Sequence, residues 1–277
     1  MIADCHMHMV LDGRDWKAAI GRHTEKPDDA FIRSALETYR QAGVTWLRDG
    51  GDRWGVGARA RELAKEYGIT YRTPLAPLCK KGHYGGFIGL TYENLKEYTA
   101  LVRRQKSQGA DFIKIMISGL MDFSRYGVLT EPGLDSGEIK ELVHIAHCEG
   151  MSVMAHANGA ETVLSAVQMG LDSVEHGAYL NEEALAAMNE YGTVWVPTLS
   201  TVGNLLGKGR FPDDQVQRIL EDTQQMLSEF KGFVAPGTDA GAWAVPHGSP
   251  TEEGWLAKAG IGKDRLQDGI TIIKCKF

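Results

Sequence analysis

Two histidines near the start of the sequence have the spacing of a metal-chelating pair. Residues 3–8 read Ala-Asp-Cys-His-Met-His, which sets His6 and His8 two positions apart. On a β-strand such residues point to the same side, and paired imidazoles bind borderline cations such as Zn²⁺. An H-x-H pair also occurs by chance, so this motif indicates a metal site only when other ligands accompany it.

A lysine inside an apolar run is a further candidate ligand. Residues 111–117 read Asp-Phe-Ile-Lys-Ile-Met-Ile, so the three isoleucines would share one face of a strand and Lys114 the other. Burial would lower the pKa of Lys114 toward the neutral amine, which can add carbon dioxide to form a carbamate that bridges two metals. A salt bridge with a buried acid explains the same position equally well.

Three more residues of metal-ligand type stand at the ends of predicted strands. His156 and His176 close two apolar runs, and Asp239 lies between glycines in residues 235–241. A single buried histidine is more often a core residue with a hydrogen-bond partner than a ligand. Ligand-type residues at the ends of five strands nevertheless favour a shared metal site. The six candidate ligands are His6, His8, Lys114, His156, His176 and Asp239.

The elements that must position these residues alternate between strand and helix patterns. Apolar runs typical of strands begin near Ile2, Val44, Thr70, Asp111, Met151, Leu171, Gly192 and Gly232. Amphipathic stretches typical of helices cover residues 28–42, 56–67, 93–108, 136–149, 160–169, 182–190 and 213–230. This alternation predicts parallel strands with right-handed crossovers, and eight such units predict an α/β fold with one (β/α)₈ TIM barrel. We expect a single domain over residues 1–277.

Active sites of such barrels form at the C-terminal ends of the strands, where the six candidates stand. Two less regular segments, residues 80–89 and 240–250, follow strands and should lie at the same face. The tail, residues 262–277, is ambiguous, because residues 269–274 fit either a short strand or the end of a helix.

The composition excludes several classes of protein. The chain has 30 basic and 36 acidic residues and a net charge of −6, which does not favour nucleic acid as a partner. The sequence has no secretory signal, and none of its apolar runs is long enough to span a bilayer, so we expect no membrane association. Four scattered cysteines suit a cytoplasmic protein with reduced thiols. A homo-oligomer is left open, and the expected partner is a small-molecule substrate.

With these residues in this strand order, the sequence resembles the amidohydrolase superfamily of metal-dependent barrels. The resemblance extends to residues 43–49, 172–177, 196–199, 237–241 and 246–248, and covers the chain from Ile2 to about Gly260. The imidazolonepropionase-like and prolidase-like members, which cleave amide bonds of dipeptides or cyclic amides, are the most similar. Members usually carry a flanking β-sandwich, which we expect to be absent because the first strand begins at Ile2 and the tail is short. Asn158 stands where a second histidine is common in the family.

The resemblance implies two divalent metal ions per chain, usually zinc, with manganese or iron as alternatives. His6, His8 and Asp239 would hold the buried ion. His156 and His176 would hold the more exposed one.

The resemblance also implies the mechanism. A carboxylated Lys114 and a hydroxide would bridge the two ions, and the hydroxide would attack an amide carbonyl polarised by the ion at His176. Asp239 would shuttle the proton to the leaving nitrogen. Three loop residues would bind substrate: His83, Tyr179 and His247.

The leading interpretation is therefore a hydrolase of amide-type C–N bonds in a dipeptide, an N-acyl amino acid or a cyclic amide. A lactonase, esterase or phosphoesterase could use the same binuclear site, since loops decide the substrate. The alternative from another functional class is a barrel that binds metal ions but catalyses no reaction. Residues 55–60 match a dinucleotide-binding pattern, but no acidic residue ends the following strand, so nucleotide binding is set aside.

Overall fold

The computed structural model describes residues 2–277 and shows an α/β fold with parallel strands. The strands are β1 (Ala3–Met7), β2 (Trp46–Asp49), β3 (Thr70–Arg72), β4 (Leu78–Lys80), β5 (Leu90–Tyr92), β6 (Ile113–Met116), β7 (Val153–Ala157), β8 (Ser173–His176) and β9 (Val194–Val196). They form a three-stranded sheet in the order β1-β2-β3 and a six-stranded sheet in the order β5-β4-β6-β7-β8-β9.

Helices follow the strands along the chain. They are α1 (Trp16–Gly21), α2 (Asp29–Gln41), α3 (Val56–Ala64), α4 (Leu95–Ser107), α5 (Ser136–Cys148), α6 (Ala160–Val167), α7 (Glu182–Tyr191), α8 (Ser200–Gly203), α9 (Asp213–Glu229), α10 (Thr251–Lys258) and α11 (Lys263–Lys276). Side chains cap several N-termini, as where Asp28 accepts hydrogen bonds from the first backbone amides of α2. Among residues 2–277, no helix combines the length and apolar composition that crossing a bilayer requires.

Residues 233–240 join the two sheets on one side. The amide of Trp195 in β9 donates to the Phe233 carbonyl at 2.9 Å, and the amide of Cys5 in β1 donates to the Pro236 carbonyl at 2.8 Å. On the other side, the described residues form no ladder between β3 and the six-stranded sheet. The parallel α/β architecture is thus confirmed, whereas the pairings do not confirm a closed eight-stranded barrel.

The alternation of β6 divides its side chains between two environments, as the sequence predicts. Ile113 and Ile115 belong to the large apolar cluster with Tyr98 of α4 and Leu142 of α5. Lys114 points the other way and is also buried. The side of β6 that carries Lys114 therefore faces the interior between the sheets.

Prolines explain where the strand predictions differ from the structure. The predicted third strand stops at Arg72, and Pro74 and Pro77 separate it from β4, because proline supplies no amide donor to a ladder. The predicted eighth strand near Gly232 forms only isolated bridges around Pro236. The ambiguous tail is the helix α11.

Candidate metal centre

The six candidate ligands come from five segments that end near one another. β1 supplies His6, with His8 directly after it, and β6 supplies Lys114. In the parallel register, Met116 at the end of β6 is paired with His156, and Ala157 with His176. The six share the wall of one cavity of about 550 Å³.

Three ligand atoms form a compact triangle. The Nε2 atoms of His6 and His8 lie 3.4 Å apart, and each lies close to Asp239 Oδ1, at 3.5 Å and 3.4 Å respectively. Ligands bound tetrahedrally at about 2.0–2.1 Å are separated by roughly 3.3–3.4 Å. The triangle therefore has the dimensions of three corners of a tetrahedral metal site.

His156 and His176 lie beside this triangle with their rings oriented by neighbours. Their ring centroids are 4.5 Å apart, and the His176 ring is 5.1 Å from that of His6. His176 Nδ1 lies 2.7 Å from Thr198 Oγ1, and His156 Nε2 lies 3.2 Å from the Gly119 carbonyl. If these nitrogens donate, the lone pairs lie on His176 Nε2 and His156 Nδ1, which are then available to an ion.

Burial keeps all four histidines uncharged. Burial, followed by the charge of Lys114, lowers the pKa of His8 and of His156 to about 3. The pKa values of His6 and His176 are also well below the usual range, mainly through burial. Neutral imidazole is the form that binds metal ions.

Three buried polar atoms in the cluster have no hydrogen-bond partner in the described chain: His8 Nδ1, Lys114 Nζ and Asp239 Oδ1. Burial lowers the pKa of Lys114 and raises that of Asp239. Orphaned buried groups are costly, and a bound ion is one of the few explanations for them. The donor set of two imidazoles and a carboxylate fits a divalent cation such as zinc.

The backbone is strained at this site. His176, Thr198 and Asp239 adopt φ values of 69°, 50° and 53°, in the left-handed region that residues other than glycine rarely occupy. Such conformations persist where surrounding structure enforces them, and they cluster at functional sites.

Two glycines let the backbone approach the histidine pair. A Cβ atom at Gly50 would lie 2.1 Å from Cε1 of His8, and one at Gly237 would lie 2.8 Å from Cβ of His6. Any side chain at Gly50 would therefore occupy the place of the His8 ring.

The rest of the cavity wall combines aromatic and aliphatic side chains with two arginines and the acidic Asp122. Its aromatic members are Trp16, Tyr84, Phe87, Phe123, Phe211 and Trp243. Arg14 and Arg210 also line it, and the Arg210 guanidinium lies 4.5 Å from the ring centroid of Trp243.

The structure does not place the three predicted substrate residues in the cavity wall. Within the described residues, the lining set omits His83, Tyr179 and His247. His83 Nδ1 lies 3.3 Å from a carboxylate oxygen of Glu131. His247 is held at both ring nitrogens, by the Tyr39 hydroxyl at 3.2 Å and the Leu11 carbonyl at 2.9 Å.

Tyr179 packs against Tyr126, with ring centroids 5.6 Å apart. In the loop that carries His83, the residue that reaches the cavity is its neighbour Tyr84, whose ring is 4.7 Å from that of His156. The sequence indicated this loop but not Tyr84, because the turn of a glycine-rich loop decides which neighbour points inward.

Comparisons with known proteins identify relatives. No family model matches the chain. An uncharacterized protein of Mycobacterium tuberculosis is 27% identical over 277 residues, which cover 99% of this chain and 67% of that protein. Ochratoxinase of Aspergillus niger is 25% identical over 228 residues, or 72% of this chain and 47% of the enzyme. The chain thus spans about two thirds of the first relative and about half of the second.

Solved structures show the same fold. A Xaa-Pro dipeptidase with methionine in its active site has a TM-score of 0.79 and 22% identity, covering 99% of this chain and 75% of the dipeptidase. Aspergillus niger ochratoxinase has a TM-score of 0.76 and 22% identity, covering 98% of this chain and 68% of that structure. The resemblance predicted from the sequence is confirmed, and at these identities the solved structures show the fold.

Proposed function

Proceeding from the resemblance to the amidohydrolase superfamily, we propose that the chain is a metal-dependent hydrolase of an amide-type C–N bond. The observation that carries the proposal is the triangle of His6, His8 and Asp239, whose ligand atoms are 3.4–3.5 Å apart and include a buried carboxylate oxygen with no hydrogen-bond partner among residues 2–277. The named relatives, a dipeptidase and an ochratoxinase, support hydrolysis as the reaction.

Two ions would be held by different residues. His6, His8 and Asp239 would hold the first, and His156 and His176 the second. Zinc suits this donor set, with manganese or iron as alternatives. Bound divalent cations supply a Lewis acid for the substrate carbonyl and lower the pKa of coordinated water.

Lys114 would bridge the two ion sites as a carbamate. Its buried position favours the neutral amine, whose nitrogen attacks carbon dioxide, forms an N–C bond and releases one proton. Lys114 Nζ has no hydrogen-bond partner among residues 2–277, which supports a further role for this atom.

Asp239 is proposed to move the proton of the reaction. Its Oδ1 atom lies in the cavity wall beside both Nε2 atoms of the histidine pair. From there the carboxylate would take a proton from the attacking water and deliver it to the leaving nitrogen. The contact with Thr198 would hold the His176 ring in place, so that the ion bound by His176 faces the substrate carbonyl.

The cavity favours a substrate with a free carboxylate and an apolar body. Arg14 and Arg210 give the wall two positive charges, and aromatic and aliphatic side chains make up much of the remaining surface. An N-acyl amino acid or a dipeptide carries both features, whereas a neutral cyclic amide uses only the aromatic surface. Lactones and phosphoesters remain second candidates through the same donor set.

We further infer that the strands close into one (β/α)₈ barrel. Residues 233–240 are hydrogen-bonded to both β9 and β1. On the other side, the amide of Asp111 donates to the Thr73 carbonyl at 2.9 Å, which links the chain after β3 to the chain before β6. These bonds support a barrel whose strand pairing is interrupted in two proline-containing segments, one around Pro74 and Pro77 and one around Pro236.

Metal-loaded protein should hydrolyse N-acyl amino acids or dipeptides, and Asp239→Asn should lower kcat by about 10²–10⁴-fold, the usual contribution of acid–base catalysis. The measurement is steady-state hydrolysis over a panel of dipeptides, N-acyl amino acids, cyclic amides, lactones and phosphoesters, with metal content determined on the same samples.

Asp264→Asn, an exposed acid in the first turn of α11, is the matched control and should keep the wild-type rate. If fully metal-loaded protein cleaves lactones or phosphoesters but none of the amides, the proposal of an amide hydrolase is wrong. An unchanged rate in Asp239→Asn would remove Asp239 as the proton carrier.

A further inference from the structure

We propose that Glu175 and Arg48 form a buried relay that fixes the ring of His6 for metal binding, so that both are positioning residues of the centre. The proposal rests on the proposed role of His6 as a ligand. All three side chains are fully buried, and the relay lies on the side of His6 away from Asp239.

The contact between Glu175 and His6 decides which ring nitrogen can bind a cation. Glu175 Oε2 lies 2.7 Å from His6 Nδ1. A carboxylate only accepts hydrogen bonds, so the proton of the neutral imidazole belongs on Nδ1. The lone pair is then on Nε2, the atom that lies 3.5 Å from Asp239 Oδ1. Carboxylates orient histidine ligands in metal sites in this way.

Glu175 is held in turn by donors on its other oxygen. Arg48 Nη2 donates to Oε1 at 2.8 Å, and Ser173 Oγ donates to the same atom at 2.6 Å. Oε2 is thereby left to His6. Ser173 and Glu175 can both reach Arg48 because they share one face of β8.

Arg48 is fixed by the rest of its guanidinium. Its Nε donates to the Cys5 carbonyl at 2.6 Å, and Nη1 donates to Ser173 Oγ at 2.9 Å. The group also lies 4.4 Å from the ring centroid of Phe277. The relay as a whole thus connects β1, β2 and β8, and residues of these three strands fix the position of Glu175.

Stability alone does not explain this ion pair. A buried pair of charges gives little net stability compared with well-packed apolar side chains, because desolvation offsets the attraction. The orientation of His6 gives the pair a function. His8, by contrast, has an unpartnered Nδ1 in the described structure, so the relay acts on one histidine of the pair.

Glu175→Gln tests the relay, because the amide has a single acceptor oxygen and cannot serve His6 and Arg48 together. We expect Zn²⁺ affinity at the tighter-binding site to fall about 10–100-fold, the usual effect of losing such a partner. Competition with a chelator measures that affinity without any assay of activity. Ser173→Ala is the control: it removes a donor to Glu175 but leaves the contact with His6, so it should change affinity by less than about threefold.

A second measurement tests the relay on the wild-type protein first, so it remains decisive even where the variant fails to fold. Ring ¹⁵N spectra of metal-free wild-type protein should show His6 protonated at Nδ1, and Glu175→Gln should shift this toward a mixture of tautomers. A merely structural role for Glu175 would not move the tautomer. Wild-type His6 protonated at Nε2, or wild-type Zn²⁺ affinity in Glu175→Gln, would overturn the relay.

The two proposals fail differently. If the wild-type protein binds no Zn²⁺, the proposed function loses its metal centre, whereas the tautomer of His6 still decides whether Glu175 orients the ring. If the protein binds Zn²⁺ and hydrolyses amides but Glu175→Gln changes neither affinity nor tautomer, only the relay is wrong.

Discussion

Burial decides the chemistry of each histidine at the centre. Low pKa values keep the rings neutral, so they present lone pairs rather than positive charge to the cavity. The carboxylate of Asp239 is buried among them with an oxygen that the described residues do not satisfy. A cation would satisfy this oxygen and the imidazole lone pairs at once, which makes metal affinity the first property to measure.

Gly50→Ala should weaken metal binding at the histidine pair. The added methyl group would lie 2.1 Å from the His8 ring, so His8 would have to rotate away from His6 and Asp239. We expect Zn²⁺ affinity to fall at least tenfold, on the order of the effect of losing a ligand's orientation. Zn²⁺ titration of metal-free protein against a chelator measures the change.

Gly254→Ala is the matched control, because nothing lies within 4 Å of a Cβ atom at that helical position. It should leave Zn²⁺ affinity unchanged. Equal affinities for the wild-type protein and both variants would contradict the close approach of Gly50 to His8.

Arg210→Gln should raise KM for N-acyl amino acids and leave kcat nearly unchanged. A charged hydrogen bond contributes about 1.5–3 kcal/mol, which corresponds to roughly a 10–100-fold change in KM. The matched control is the same substrate with its carboxylate converted to an amide, whose KM should not respond to the substitution. A similar increase for both substrates would mean that Arg210 acts on the shape of the cavity instead.

Residue types and strand positions were enough to predict which six side chains would gather, since alternation and strand ends can be recognised in the sequence. Arg48 and Glu175 could not be predicted in the same way, because their pairing joins β2 to β8 across 127 positions. The position of Tyr84 in the cavity wall depends on the turn of its loop, and that of Arg210 depends on its packing against the Trp243 ring.

At the scale of elements, an irregular connection between the two sheets lies where a strand was predicted near Gly232. Residues 233–240 make isolated bridges rather than a ladder, and a side chain of β1 reinforces them. Asp4 accepts hydrogen bonds from the Thr238 amide at 2.9 Å and from the Thr238 hydroxyl at 2.6 Å. This contact fixes the residue that precedes Asp239.

Thr238→Val should therefore destabilise the metal-free protein. Valine matches threonine in shape but leaves a buried oxygen of Asp4 without its hydroxyl donor, which costs about 1–3 kcal/mol. Urea unfolding at neutral pH measures the loss. Thr238→Ser keeps the hydroxyl and should retain most of the stability; equal losses in the two variants would argue against the Asp4 contact.

Helices were easier to predict than strands because their limits carry local signals. The seven predicted helices correspond to α2–α7 and α9, and side-chain caps such as Asp28 and Asp135 mark their beginnings. The strands β4 and β5 were missed, since each has three residues and depends on pairing with distant chain. Sheet closure also depends on long-range pairing, and no local pattern specifies it.

On the scale of the whole molecule, the centre connects parts of the chain that otherwise belong to different apolar clusters. Met7 packs in one buried cluster, and Val174 in another. His6 and His176 belong to the strands that contain these residues. Ions bound between them would thus link the two sheets.

Removing the metal should lower the thermal stability of the entire molecule. A ligand that binds only the folded state stabilises it by about 2.7 kcal/mol at 100 times its Kd, so we expect Tm to fall by several degrees. Calorimetry before and after chelation measures this, and added Zn²⁺ should restore the original Tm. Identical melting curves for the loaded and chelated protein would contradict an ion held between the sheets.

The ligands of the proposed first ion lie far apart along the chain, and this has a consequence during synthesis. His6 and His8 leave the ribosome before Asp239, which follows 233 residues after His6. At roughly 5–20 residues per second, about 10–50 seconds separate them. Throughout that interval the nascent chain presents a bare histidine pair to any copper or nickel ion nearby, and both metals bind imidazole more tightly than lighter divalent ions do. Correct metallation would therefore depend on which metals the cell leaves free while the chain is being made.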